Sequence, residues 1–442
     1  MANVAEAADA TQAQDAQAAR RPGIGGLLAQ TEIDLRLFGM VAALAIILVS
    51  FHVISGGTFL RPVNMVTLSV QAAGIAVIAT GMVLIIVSRN IDLSVGSLVG
   101  FVAMVYAQLM ANWLAAIGIG DDTPFRWVLV LAIGIAIGAA FGAFQGFIIA
   151  YVGVPSFVVT LGGLLAIRGA IWYLSNGAAV TGIDADFTLI GGTSQGSIGG
   201  PLTWAVGVLG SLAVIALLYN NRRRRRKYGF PLRPMWAEVA LGVAACVVIL
   251  GLSAYANANK WPQGLADRYA TEHGLPTGQV IDTGFPNPVM IVLGVTLVVT
   301  WLATRRRFGR YVYAYGGNPD AAALAGINTR FTILKTYVLM GVLCAIAAAI
   351  AVARLTAATL DIGQSYELYV IAAAVVGGTS FAGGIGTVAG AVLGAFVMQS
   401  LAYGLSYIGV ESAGQNVAAG VVLILAVGLD AWNRRRGTRS IG

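Results

Sequence analysis

Charge is scarce in this chain: 10% of its residues are Asp, Glu, Lys or Arg, against 58% hydrophobic residues and a mean hydropathy of +0.81. That balance excludes an ordinary soluble domain, in which about 25% of residues are charged. Cysteine is nearly absent too. Cys246 and Cys344 each sit in an apolar run, where they read as small buried hydrophobes and not as a disulfide framework. The two histidines, His52 and His273, lack ligand spacing, and no metal site is expected. No lysine follows a glycine, which excludes the Gly-x-x-x-x-Gly-Lys-Ser/Thr phosphate cradle. If ATP powers this protein, the nucleotide site belongs to another chain.

What is present is a succession of apolar runs. A span needs roughly 20 apolar residues, and about twelve runs qualify, centred near Ile46, Ala79, Val105, Ile137, Leu164, Val208, Ala244, Val295, Ala347, Ala374, Leu393 and Leu423. The expected fold is all-α, a polytopic transmembrane helix bundle containing broken helices. Basic residues cluster at 222–227, 305–310 and 434–436, whereas Arg61, Arg126, Lys260 and Arg268 fall in the alternate loops. The excess of Lys and Arg on one side sets both termini in the cytoplasm. Residues 1–30, rich in Ala, Gln, Asp and Gly and lacking an apolar h-region, read as a disordered cytoplasmic tail. Residues 31–433 form the membrane domain and 434–442 a second cytoplasmic tail. The net charge of +8 flanks apolar spans and forms no basic stripe with stacking aromatics, so no nucleic-acid partner is expected.

Glycine numbers 57 residues, and Gly134, Gly138, Gly142 and Gly146 recur at intervals of four. Small residues at that spacing let helix backbones approach closely. Two apolar runs are interrupted by polar turns, Ser88-Arg-Asn-Ile-Asp92-Leu-Ser-Val-Gly96-Ser97 and Gly377-Gly-Thr-Ser-Phe-Ala-Gly-Gly-Ile-Gly386. Irregular backbone at membrane depth is tolerated where protein or a wet cavity satisfies it, so such breaks point to a transport route. Their similar placement in the two halves suggests a weak internal duplication. The pathway candidates are Asp92, Ser94, Ser97, Thr160, Gly377, Gly378, Thr379 and Ser380. Asp92 has Arg89 three residues earlier as a ready partner, or else caps the following helix. Arg168 and Glu367 pose a similar choice between function and snorkelling to an interface. Gln71, Gln145 and Gln399 either line a weak polar path or satisfy neighbouring backbone.

The basic segment 305–330 reads as a cytoplasmic docking loop. Asn318 is an expected N-cap, Pro319 suits the first helical position, Asp320 complements the dipole, and Gly326 ends one short helix. Such a helix on a membrane protein receives force or a signal from a partner.

These residues carry a resemblance. Ile91-Asp-Leu-Ser-Val-Gly-Ser97, Val154-Pro-Ser-Phe-Val-Val-Thr-Leu161, Phe308-Gly-Arg-Tyr-Val-Tyr-Ala-Tyr-Gly-Gly-Asn318 and Gly377-Gly-Thr-Ser-Phe-Ala-Gly-Gly384 resemble, in consistent order, the permease subunits of bacterial ABC sugar importers of the ribose and xylose group. An insertion at 221–286, with an arginine-rich loop over 222–234 and a further span near Ala244, resembles the xylose-type subgroup; its five consecutive arginines read as a topology anchor or else as a contact for anionic membrane lipid. The resemblance implies a multi-pass inner-membrane protein that is not itself an enzyme. It implies a cytoplasmic ATPase subunit that uses ATP and Mg, a periplasmic sugar-binding protein, and a second permease copy. The chain itself would hold no cofactor. Arg307, Phe308, Gly309, Arg310, Gly316, Gly317, Asn318, Ala321, Ala322, Gly326 and Ile327 match the segment that docks on the ATPase. Two positions depart from the pattern: Ala323 stands where an arginine is frequent, and Tyr369 where a small acidic residue is frequent.

Two other classes share some of these features. An ion-coupled secondary transporter would use the broken helices together with buried ionisable groups, and a membrane scaffold would use the docking segment for binding alone. Within the ABC class, permeases for ribose, nucleosides or branched-chain amino acids are the nearest competitors to one for D-xylose or another pentose.

Overall fold

The computed structural model describes residues 35–120, 123–274 and 276–439. The tail expected over residues 1–30 lies outside them. The chain divides into two compact units, one of Met40–Ile198 with Phe285–Gly442 and another that takes in Gly199–Gly284.

The larger unit is helical almost throughout. Its elements are α1 (Leu35–Ile54), α2 (Pro62–Val87), α3 (Val95–Gln108), α4 (Arg126–Phe147), α5 (Ser156–Ser175) and the short α6 (Ala185–Thr188). α2 is apolar on every face, and 94% of its span is buried. A helix of that kind can only be the centre of a bundle. α4 meets α13 (Thr329–Leu355) along the glycine stripe. A Cβ at Gly138 would overlap the backbone of Gly341, and one at Gly142 the carbonyl of Tyr337. The stripe is thus a packing device. β1 (Val180–Thr181), after α5, pairs antiparallel with β2 (Ala357–Ala358), after α13, and ties those two helix ends together.

In the smaller unit α7 (Gly199–Lys227) packs on α8 (Met235–Asn257), with Gly207 against Ser253 and Gly242 against Leu218, before the short α9 (Gln263–Glu272). This unit starts at Gly199, one helix earlier than the insertion expected at 221–286. The run of arginines is not a loop but the last turns of α7. Arginine is a good helix former, and cations are favoured at a helix C-terminus.

Ten helices among the described residues are long and apolar enough to cross a membrane. The expected centre at Ala374 falls on an 11-residue helix, α14 (Tyr366–Val376), only about 16 Å long at 1.5 Å per residue. The centre at Leu423 falls on α16 (Ser412–Arg439). α16 stays helical to Arg439, through most of the tail expected over 434–442. The breaks expected before α3 and after α14 are both present, at 88–94 and at 377–387 before α15 (Val388–Tyr407). They are unequal: the first joins two full-length helices, the second a half-length helix to a full one.

Candidate functional site: the junction beneath the two breaks

The docking segment is two helices, not one loop with a single short helix. α10 (Asn287–Arg305) turns into α11 (Arg307–Gly317), which α12 (Pro319–Leu324) follows at once. A Cβ at Gly309 would overlap the backbone of Ala303, so the tight α10–α11 corner needs glycine there. α11 buries Gly309, Val312 and Gly316, an i, i+3, i+7 stripe, and exposes Arg307, Arg310 and Gly317. Phe308 is half-buried.

α12 forms as expected. Asn318 Oδ1 accepts from the Ala321 N–H at 3.0 Å, Pro319 opens the helix, and Gly326 turns the chain with φ of +78°. Ala322 is buried and Ile327 half-buried, whereas Ala321 is exposed. Leu324, which the sequence reading did not single out, is 91% exposed. A leucine held out on a short alanine-rich helix fits the contact surface for another protein. Its lone apolar side chain among alanines was the available signal.

Arg89 connects this segment to the end of α2. It is not paired with Asp92. Its Nε donates to the Gly316 carbonyl at 2.7 Å and its Nη2 to the Gly317 carbonyl at 2.8 Å. Those are the last carbonyls of α11, which have no acceptor role within the helix, and a guanidinium there also complements the negative end of the dipole. Arg89 adopts φ of +58°, a left-handed conformation that costs a non-glycine residue about 1–2 kcal/mol. The two charge-assisted bonds offset that cost. The packing beneath is equally close. A Cβ at Gly316 would overlap the Val87 carbonyl, and the Gly384 N–H donates to that same carbonyl at 3.0 Å. Tyr313 of α11 donates from its hydroxyl to the Gly386 carbonyl at 2.7 Å. The two breaks and the docking segment, separate in sequence, thus meet around the last turn of α2.

The pathway candidates sit just beyond. Asp92 is buried, and its Oδ1 accepts from the Ser94 N–H at 2.9 Å and the Ser94 hydroxyl at 2.7 Å. Gln145 of α4 donates to that hydroxyl at 3.0 Å. Asp92 therefore braces the start of α3. Thr160 donates to the Ser156 carbonyl at 2.8 Å, while Ser156 Oγ accepts from the Ile91 N–H and Tyr337 donates to the Ile91 carbonyl, both at 3.3 Å. Ser97 donates to the Leu164 carbonyl at 3.0 Å. So Asp92 and Ser94 of the first break come together with Ser97 of α3 and Thr160 of α5, with Gln145 of α4 added. Gly377, Thr379 and Ser380 are buried in the second break, and Gly378 takes φ of +87°. Thr379 lies against Gly386 and so near Val87. Gln399 pairs with Gln71 at 3.1 Å. Arg168 donates to the Leu360 and Ile362 carbonyls at 3.2 and 3.4 Å, which makes it a tie between α5 and the loop after β2. Glu367, in the first turn of α14, lies against Gly96.

Known proteins align with most of this chain. A family model described as the branched-chain amino acid transport system / permease component matches residues 64–427. The xylose transport system permease protein of Escherichia coli (strain K12) is 35% identical over 415 residues, covering 94% of this chain and 96% of that protein. The corresponding xylose permease of Haemophilus influenzae is 35% identical over 407 residues, 91% of this chain and 98% of its own. The ribose import permease protein of Escherichia coli (strain K12) is 30% identical over 369 residues, 83% and 85% of the two chains. No solved structure matches.

Proposed function

The chain belongs to the branched-chain amino acid transport system / permease component family, and from that premise we propose that it moves D-xylose, or another pentose, into the cytoplasm. It is a multi-pass inner-membrane permease subunit of an ABC sugar importer of the xylose, ribose and galactose group, and ATP hydrolysis falls to a separate subunit. Support for xylose is the 35% identity to xylose permeases along nearly the full chain, against 30% to the ribose permease.

The observation that carries the mechanism is the Arg89 bridge to Gly316 and Gly317. In this reading the ATPase, using ATP and Mg, seats on α12 through Leu324, with Arg307 and Arg310 beside it. Both termini lie on that cytoplasmic side. When α11 and α12 shift, Arg89 and the Gly316–Val87 contact carry the displacement into the first break, and Tyr313 carries it into the second. The two breaks then reopen the pathway alternately to each side, past Asp92, Ser94, Ser97, Thr160 and residues 377–380. A periplasmic binding protein delivers the sugar, and a second copy of the chain completes the route as a symmetric homodimer. Of the three ionisable groups an ion-coupled transporter would use, Asp92 and Arg168 already hold structural hydrogen bonds, which leaves Glu367.

The test is uptake into proteoliposomes that contain this chain, its ATPase and its binding protein. Labelled xylose is expected to accumulate with internal or external ATP placed on the ATPase side and to persist when ion gradients are collapsed. Ribose uptake exceeding xylose uptake would overturn the substrate, and uptake driven by a gradient without ATP would overturn the importer. Leu324→Asp is expected to release the ATPase on co-purification while leaving the permease folded.

A further inference from the structure

A second site stands on the smaller unit. Residues 221–242 hold seven basic residues and one acidic residue, Glu238. Glu238 is already engaged: Arg222 Nη1 donates to its Oε2 at 2.6 Å and to the Arg233 carbonyl at 3.3 Å. Arg225 donates to the Pro231 carbonyl at 3.1 Å. Gly229, at φ of +71°, lets the Phe230 N–H fold back on the Arg225 carbonyl at 3.0 Å. These bonds set the turn from α7 into α8 in one shape.

That shape leaves an open pocket of about 580 Å³ lined by Asn221, Arg224, Arg225, Tyr228, Phe230 and Pro231. Arg224 is exposed at its edge and makes no ion pair among the described residues. The turn also holds large apolar side chains outward: Tyr228 is 65% exposed and Phe230 61%, with Met235 and Trp236 beside them at the start of α8. Flanked by two spans, arginines and exposed aromatics together suit the membrane–water boundary. A pocket there, lined by both arginines and aromatics, fits a phosphate that carries an acyl-bearing group.

We propose that the α7–α8 turn binds the phosphate headgroup of an anionic phospholipid, with Arg224 as the main ligand and Tyr228 and Phe230 against the glycerol and upper chains. A soluble phosphate would use the arginines but not the aromatic wall. The site uses none of the residues assigned to transport.

Purified full-length chain in phosphatidylcholine nanodiscs provides the test. Trp236, isolated by comparison with Trp236→Phe, reports brominated phosphatidylglycerol or brominated phosphatidylcholine added at equal mole fraction. Stronger quenching by the anionic lipid is expected. Arg224→Gln should weaken its apparent affinity about fivefold, and Arg224→Lys should restore most of it. Circular dichroism and gel filtration confirm that each variant is folded. Equal quenching by both lipids, or no change in Arg224→Gln, overturns the proposal. Displacement of the anionic lipid by millimolar inorganic phosphate overturns it in favour of a soluble anion. Loss of the ATPase from Arg224→Gln with quenching unchanged overturns it in favour of a protein contact.

Discussion

The two helix breaks present the same pattern in sequence, a polar turn between apolar runs, yet they are held in opposite ways. Side chains tie the first: Asp92 to Ser94, Gln145 to Ser94, Ser156 and Tyr337 to Ile91, and Arg89 outward to α11. The second is held by backbone meeting backbone. A Cβ at Gly377 would overlap Gly390, and one at Gly394 would overlap the Ala373 carbonyl. Knotted side chains cross-link the first break to α4, α5 and α13. Close-packed glycines dominate the second, with the Tyr313 hydroxyl on the Gly386 carbonyl as its tie to α11. α11 is thus joined to both breaks, but by different kinds of contact.

The comparison is broken most severely where the two breaks meet. Gly316→Val drives a side chain into the Val87 carbonyl, an overpacking of about 3 kcal/mol, or roughly a hundredfold if it falls on the coupling step. Sugar uptake should be lost while the variant still inserts in the membrane. Next in size is the first break. Asp92→Ala leaves the Ser94 N–H without its acceptor in a buried site, a loss of about 1–3 kcal/mol. Thermal melting in detergent should show it, with Asp92→Asn affected less because an amide oxygen can still accept. Uptake lost in Asp92→Asn with no change in melting would make Asp92 a substrate ligand instead. The smallest effect separates two adjacent glycines. Gly378 has open space around its Cβ position, so Gly378→Ala brings only left-handed strain of about 1–2 kcal/mol. Gly377→Ala meets backbone and should lower melting further. Equal melting of the two would mean that the second break is not packed on its glycines.

Local chemistry was legible in the sequence. The apolar runs located the ten helices, among the described residues, that are long and apolar enough to cross a membrane, and Asn318, Pro319 and Gly326 marked α12 because capping depends on neighbours within a few residues. α11 was less visible, since Gly309, Gly316 and Gly317 look like loop residues, although the buried spacing of Gly309, Val312 and Gly316 was there to be read. Arg89 reads as a ready partner of Asp92, beside the alternative that Asp92 caps the next helix, because the two are neighbours in sequence. Its real partners lie 227 and 228 residues further on. Likewise the arginines after Asn221 read as a loop for their charge, while their helix propensity carried α7 on to Lys227. Partners brought together only by the fold leave no trace in a single sequence.

The Arg89 bridge is the central claim, and one ratio tests it: sugar molecules taken up per ATP hydrolysed by the reconstituted complex. Arg89→Ala removes both bonds to α11, and Arg89→Gly removes them while also relieving the left-handed strain. If the guanidinium transmits the motion, both variants should hydrolyse ATP yet lose about tenfold or more in uptake per ATP, the equivalent of about 1.4 kcal/mol. An unchanged ratio in both would contradict the account.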